Sequence, residues 1–228
     1  MVRANPNMNL QQRYQNLSQR LRQADARCQL VAVSKTFPVS DIETLYALGQ
    51  RDFGENYVQE WQEKATALQG RDIVWHFIGP LQSNKTRQVA EGAQWVHTLE
   101  RFKIASRLND QRPEAMPPLQ VCIQVNVSGE DRKSGVAPAD VAALAVAIKA
   151  LPRLRLRGLM CIPEATEDEA ALAAQFQTMQ ALLQALNQQG HDLDTLSMGM
   201  SADWPLAVQY GATHIRIGRE LFGQRDYA

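Results

Sequence analysis

Leu30-Val31-Ala32-Val33-Ser34 is a short, apolar, largely β-branched run, and residues 39–49 behind it carry apolar side chains at helical spacing. The same alternation recurs along the chain. Strand-like runs at 51–53, 73–78, 95–98, 119–127, 154–162, 195–198 and 214–217 each give way to a loop. Helical stretches follow at 57–68, 85–91, 102–109, 139–150, 167–189 and 204–210, with a final turn through Phe222. Eight βα units predict a parallel sheet. The first, fifth and sixth runs read as continuous apolar segments, as strands covered on both faces should. Eight units suit closure, so the expected fold is α/β, a single-domain (β/α)₈ TIM barrel; an open doubly wound sheet is the alternative. A barrel of this kind takes about 250 residues, so residues 1–228 are expected to form one domain. Leu10, Tyr14, Leu17 and Leu21 predict one extra helix before the first strand.

Composition narrows the class. The chain has 228 residues, 45% hydrophobic, which suffices for a full core. Lys plus Arg and Asp plus Glu both number 24, so no electrostatic case exists for nucleic acid or an anionic membrane. Cys28, Cys122 and Cys161 have no metal-like spacing and read as reduced core residues. The first 23 residues are polar, without a signal-peptide core, and no segment approaches the ~18 apolar residues of a membrane span. A cytoplasmic protein is expected.

In such a barrel, function sits in the loops after the strands. Lys35 follows the first, wholly apolar strand, where lysine is unusual. A lysine there suits Schiff-base chemistry if desolvation or nearby cations keep its amine neutral; a lysine snorkelling at the rim is the other reading. The seventh unit ends Met198-Gly199-Met200-Ser201-Ala202-Asp203, and Ser201 is placed to cap the next helix, an anion site at the barrel mouth. The eighth ends Arg216-Ile217-Gly218-Arg219, where Gly218 permits close backbone approach. Loops after strands seven and eight commonly bind phosphate; ordinary turn chemistry is the alternative. Arg216 shares a strand face with His214 and Gly218, and either lies beside that phosphate site or pairs with Glu55 or Asp52. Asn56, after strand two, either donates to a ligand or caps a helix. His76 reads as a satisfied core histidine rather than a base. Asn84-Lys85 begins a helix after strand three, Asn126 ends strand five, and Lys133-Ser134-Gly135 lies in the polar loop beyond it, which either covers the mouth or is solvated. A Schiff-base lysine facing a phosphate site fits pyridoxal 5′-phosphate (PLP) or a sugar phosphate.

The chain resembles the PLP homeostasis proteins, the YggS/PROSC family. The segments carrying the likeness are Val31-Ala32-Val33-Ser34-Lys35-Thr36, Phe53-Gly54-Glu55-Asn56-Tyr57-Val58-Gln59-Glu60 and His76-Phe77-Ile78-Gly79-Pro80-Leu81-Gln82-Ser83-Asn84-Lys85. Gly158-Leu159-Met160, Leu196-Ser197-Met198-Gly199-Met200-Ser201, Arg216-Ile217-Gly218 and Phe222-Gly223 complete it. The resemblance implies a barrel like the N-terminal domain of alanine racemase, with PLP as an aldimine on Lys35. It implies that Ser201 and Gly218, with neighbouring backbone such as Met200, hold the phosphate, that Asn56 contacts the cofactor, and that Arg216 faces the pyridine nitrogen. It also implies a role in intracellular PLP homeostasis, with PLP-dependent apo-enzymes as recipients and a monomer or weak dimer as the working form. Family members often carry a second lysine two positions after the first; here that position is Phe37, leaving Lys85 and Lys133 as candidates for handover.

Catalysis is not expected. A racemase of this fold takes its second base from a C-terminal β domain, and this chain stops ten residues after Gly218. An Arg at the pyridine nitrogen makes the ring a poor electron sink. A minimal amino-acid racemase using Lys35 alone, and a Schiff-base aldolase on a sugar phosphate, are the alternatives.

Overall fold

The computed structural model describes residues 8–130 and 134–224. Eight parallel strands close into a barrel in chain order: β1 (Gln29–Val33), β2 (Asp52–Glu55), β3 (Val74–Phe77), β4 (Trp95–Leu99), β5 (Leu119–Gln124), β6 (Leu154–Met160), β7 (Thr195–Ser197) and β8 (His214–Ile217). β8 pairs back onto β1, Gln29 opposite His214 and Ala32 opposite Ile217, which excludes an open sheet. The outer ring comprises α2 (Val39–Ala47), α3 (Val58–Ala67), α4 (Thr86–Gly92), α5 (Phe102–Gln111), α6 (Val141–Lys149), α7 (Glu169–Gln188), α8 (Trp204–Gln209) and α9 (Arg219–Phe222). No helix among the described residues is long and apolar enough to cross a membrane.

The extra helix is present as α1 (Leu10–Ala24). Asn9 and Gln12 form a reciprocal capping box at its start, and Leu17 and Leu21 are its buried face. Arg13 donates to the carbonyls of Leu221 (2.7 Å) and Phe222 (3.1 Å), so α1 clamps the turn that follows β8. Arg20 lies over the Trp204 ring, 5.1 Å from its centroid, and Trp204 Nε1 donates to Glu220 at 3.0 Å.

Three strands depart from the expected pattern, among them β5, which ends at Gln124 rather than Val127. β2 runs on to Glu55 rather than stopping at Phe53, because its ladder with β3 continues to Phe77. β6 is not apolar throughout: Arg155 is exposed, since the N-terminal half of the strand lies at the rim. At its other half, Gly158 packs against β7 so closely that a Cβ there would lie 1.8 Å from the Thr195 carbonyl oxygen. The three thiols are buried and unbridged. Burial pushes each up to about 12, so they remain protonated and inert.

Inside the barrel a polar chain replaces part of the apolar core. Arg216 Nη1 donates to Ser197 Oγ (2.8 Å), which lies 2.7 Å from His97 Nδ1. His97 Nε2 is 2.8 Å from His76 Nδ1, and His76 Nε2 is 2.8 Å from Asp52. The carboxylate can only accept, so His76 carries its proton on Nε2. With one proton per ring, His97 then carries its own on Nε2, and Ser197 donates to His97 Nδ1. Every donor therefore points the same way, from Arg216 on β8 to Asp52 on β2. His76 is a satisfied core histidine, as expected. His214 and Trp95 pack on these rings at centroid distances of 5.0–6.3 Å. Burial, then His76, His214 and the Arg216 guanidinium, holds His97 well below the ordinary histidine range; burial first and His76 second lower His214 to about 3.

Two predictions follow from this interior. Histidines kept neutral in the folded chain take up protons only on unfolding once pH drops below their ordinary value near 6.5. Stability should therefore fall as pH falls from 7 to 5, each such histidine adding about 1.4 kcal/mol per pH unit below that value. Urea midpoints measured across this range should show a shallower slope for His214→Gln; an unchanged slope would contradict the burial argument. Gly158→Ala should cost about 1–3 kcal/mol in the same assay, because its Cβ meets backbone that cannot step aside.

Candidate functional site

A cavity of about 580 Å³ opens at the C-terminal ends of the strands. Lys35, Asn56, Met200, Ser201, Arg216 and Gly218 all line it. These come from β1, β2, β7 and β8, and the closure of the barrel brings their loops together. Val33, Ile78 and Met160 supply apolar wall.

Lys35 is half-buried just beyond β1. The backbone around it is held from behind. Lys64 Nζ, buried on α3, donates to the Ser34 carbonyl (2.7 Å), to Glu55 (2.8 Å) and to Glu60 (2.7 Å). Ser34 Oγ donates to the same Glu55 oxygen at 2.6 Å. Thr36 adopts φ +68°, a left-handed conformation costly for a β-branched residue. Its N–H donates to Glu60, which fixes that conformation. Burial pushes the Glu55 carboxyl up, and the adjacent Lys64 ammonium pulls it back down.

Arg216 is buried, and its guanidinium Nη2 donates to the Cys161 carbonyl (2.9 Å). Neither Glu55 nor Asp52 is its partner: Lys64 takes the first and His76 the second. Burial lowers its pKa.

Ser201 does not cap the helix after β7. Asp203 is the N-cap of α8, and Asp203 Oδ1 accepts from the Met200 N–H at 2.6 Å. The Met200 carbonyl accepts from the N–H groups of Asp203 and Trp204, which delays the helix by two residues. Ser201 Oγ instead accepts from Glu220 N–H (3.1 Å), tying the loop after β7 to the start of α9. The N–H groups of Ser201, Ala202, Gly218 and Arg219 make no hydrogen bond to other described residues. They form a set of unanswered donors along one wall of the cavity. With α8 only six residues long and α9 four, these local donors rather than a long helix dipole would grip an anion.

Asn56 is not a cap either, since Tyr57 holds the N-cap position of α3. Its Oδ1 is buried without a hydrogen-bond partner among the described residues. A second cavity of about 250 Å³ shares the Asn56, Ile78 and Ile162 wall.

Lys85 and Asn84 sit in a short 3₁₀ turn (Ser83–Lys85), and neither they nor Asn126 line the main cavity. Phe37 stacks on Phe222, centroids 4.8 Å apart. Lys133 lies outside the described residues, whereas Ser134 lines the second cavity. Sequence reading missed the Ser34–Glu55–Lys64–Glu60 network. Its one signal was the i, i+4 spacing of Glu60 and Lys64, which on a helix reads as an exposed surface pair.

The family model of the alanine racemase N-terminal domain matches residues 8–226. The chain is 58% identical over 198 residues to the pyridoxal phosphate homeostasis protein of Pseudomonas aeruginosa, covering 87% of this chain and 85% of the relative. With the protein of that name from Vibrio alginolyticus it shares 50% over 230 residues, 96% and 99% of the two chains. The solved structure of PipY from Synechococcus elongatus PCC7942 with PLP bound superposes with a TM-score of 0.86 at 38% identity, covering 94% of this chain and all of that one. Alanine racemase from Corynebacterium glutamicum shares the fold alone, at 14% identity and a TM-score of 0.73, over 95% of this chain and 62% of its own. The closed barrel, its mouth and these likenesses agree: the chain belongs to the alanine racemase N-terminal domain family, and within it to the pyridoxal phosphate homeostasis proteins.

Proposed function

We propose that this protein binds PLP covalently through Lys35 and buffers or delivers it inside the cell, without a dedicated reaction of its own. The observation that carries this is the convergence of one lysine, a set of unanswered backbone donors and a buried arginine on a single cavity. When bound, PLP supplies an aldehyde that condenses with a lysine amine and a ring that withdraws electrons. The residues present fit it. The unanswered N–H groups of Ser201, Ala202, Gly218 and Arg219 would hold the phosphate, with Met200, whose own N–H is committed to Asp203, lining the same wall; Asn56 and Arg216 would hold the ring's polar groups, Arg216 at the ring nitrogen. The relatives named for PLP homeostasis, and PipY with PLP bound, support the same reading.

The absence of a dedicated reaction rests on two features. Arg216, held as a donor by Ser197 and the Cys161 carbonyl, opposes protonation of a ring nitrogen beside it. Among the described residues lining the cavity, Lys35 is the one side chain with the ordinary chemistry of a general base. We read residues 1–228 as one PLP-binding domain, cytoplasmic, working as a monomer or weak dimer, with PLP-dependent apo-enzymes as recipients.

Protein purified without added cofactor should be yellow, and borohydride should bleach it and leave a pyridoxyl adduct on Lys35. Lys35→Ala should lose both colour and adduct. Colourless protein that takes up no PLP and leaves Lys35 unmodified would overturn the assignment. Ser197→Ala removes the acceptor of Arg216 Nη1 and should cost about 1–3 kcal/mol of stability. It should also weaken PLP binding, measured by equilibrium dialysis, while Lys35 remains modifiable; unchanged affinity would remove Arg216 from the cofactor's surroundings.

A further inference from the structure

The backbone donors along the main cavity come from two loops. Ser201 and Ala202 follow β7, whereas Gly218 and Arg219 lie where β8 passes into α9. One phosphate engages all four only if the two loops stand at a fixed separation. α9 has four residues, too few to hold their place by helical hydrogen bonds of their own. Its position is therefore imposed by its neighbours.

Glu220 is where those neighbours meet. It is 7% exposed and lines neither cavity. Its N–H donates to Ser201 Oγ (3.1 Å), which joins the two loops directly. Its Oε2 accepts from Trp204 Nε1 (3.0 Å) on α8, the helix that the loop after β7 leads into. Its Oε1 accepts from Arg20 Nη1 on α1. The Arg20 guanidinium also lies over the Trp204 ring, 5.1 Å from its centroid, and α1 is itself seated by the buried Leu17 and Leu21. One residue thus ties α1, α8 and α9 together with both carboxylate oxygens engaged. A buried ion pair adds little stability over an apolar filling of the same space; bonded at both oxygens, this one fixes a geometry.

We propose that Glu220 and Arg20 are positioning residues for the cofactor phosphate. Through this pair α1 sets the separation between the Ser201–Ala202 donors and the Gly218–Arg219 donors, although neither side chain reaches the cavity. The proposal rests on the reading of the main cavity as the PLP site and adds what tunes its grip on the phosphate. The lysine end is held differently: the backbone around Lys35 is fixed by Lys64 and Glu60 on the far side of the mouth. Loosening the Arg20–Glu220 pair therefore weakens the phosphate end and spares condensation at Lys35.

The test compares PLP with pyridoxal, which keeps the aldehyde and lacks the phosphate. Equilibrium dialysis of the full chain, freed of cofactor, gives both affinities for the wild type, Glu220→Ala, Arg20→Ala and Arg20→Lys. In both alanine variants PLP affinity should fall about tenfold, the loss expected when one charge-assisted hydrogen bond is misplaced. Pyridoxal affinity should stay as in the wild type, and Arg20→Lys should recover most of the PLP affinity. Arg20 is 32% exposed, so its variants decide the matter alone if Glu220→Ala does not fold. PLP and pyridoxal affinities that fall by the same factor would mean a general loosening and would overturn the proposal, as would unchanged PLP affinity; either leaves the cofactor reading intact. A wild-type chain that takes up no PLP would overturn both.

Discussion

The pairing of β8 onto β1 is the contact on which the site depends. It sets Ala32 against Ile217. Lys35 therefore leaves the sheet three residues past that pair and Gly218 one residue past it, side by side at the same end. Residues 183 positions apart in sequence become neighbours only when the last strand meets the first. The clamp of α1 on the turn after β8, through Arg13 and Arg20, secures that seam from outside. Its burial of Leu17 and Leu21 helps offset the entropy of closing so long a loop.

Polar groups inside the barrel are tolerated because each is answered in a fixed direction. The line from Arg216 through Ser197, His97 and His76 to Asp52 leaves no ambiguity of donor and acceptor once the carboxylate is fixed. A buried guanidinium without a carboxylate in contact would otherwise be expensive. The second network, around Lys64, serves the other side of the mouth. It holds the backbone on both flanks of Lys35, including the strained Thr36, and so limits where the lysine amine can travel. The two networks are separate, and each orients one of the two cations that the proposed cofactor would meet.

Beside these networks, a group of unsatisfied atoms stands out at the mouth. The donors of Ser201, Ala202, Gly218 and Arg219 and the Asn56 Oδ1 all cluster there. Trp61 Nε1, Gln111 Oε1 and Glu55 Oε2 are also buried without a partner among the described residues, but at the mouth several unanswered groups line one cavity, the arrangement expected of a ligand site.

The sequence by itself determined the order and number of strands, because each apolar run and the helix behind it are local patterns with their own periods. It also marked six of the residues that line the cavity, since position at a strand's end follows from the same local reading together with the resemblance of the segments. The tertiary structure alone decided what those residues do with their hydrogen bonds. Ser201 looked like a helix cap, but Asp203 and the Met200 carbonyl shift the helix start, and Ser201 turns to α9 instead. Glu60 and Lys64 looked like a solvated pair, yet the packing of α3 buries Lys64 behind Lys35. Asn56 gave no sign that its Oδ1 would be buried without a partner. Partners in such networks come from strands and helices far apart in the chain, and only barrel closure fixes which acceptor lies within about 3 Å of which donor.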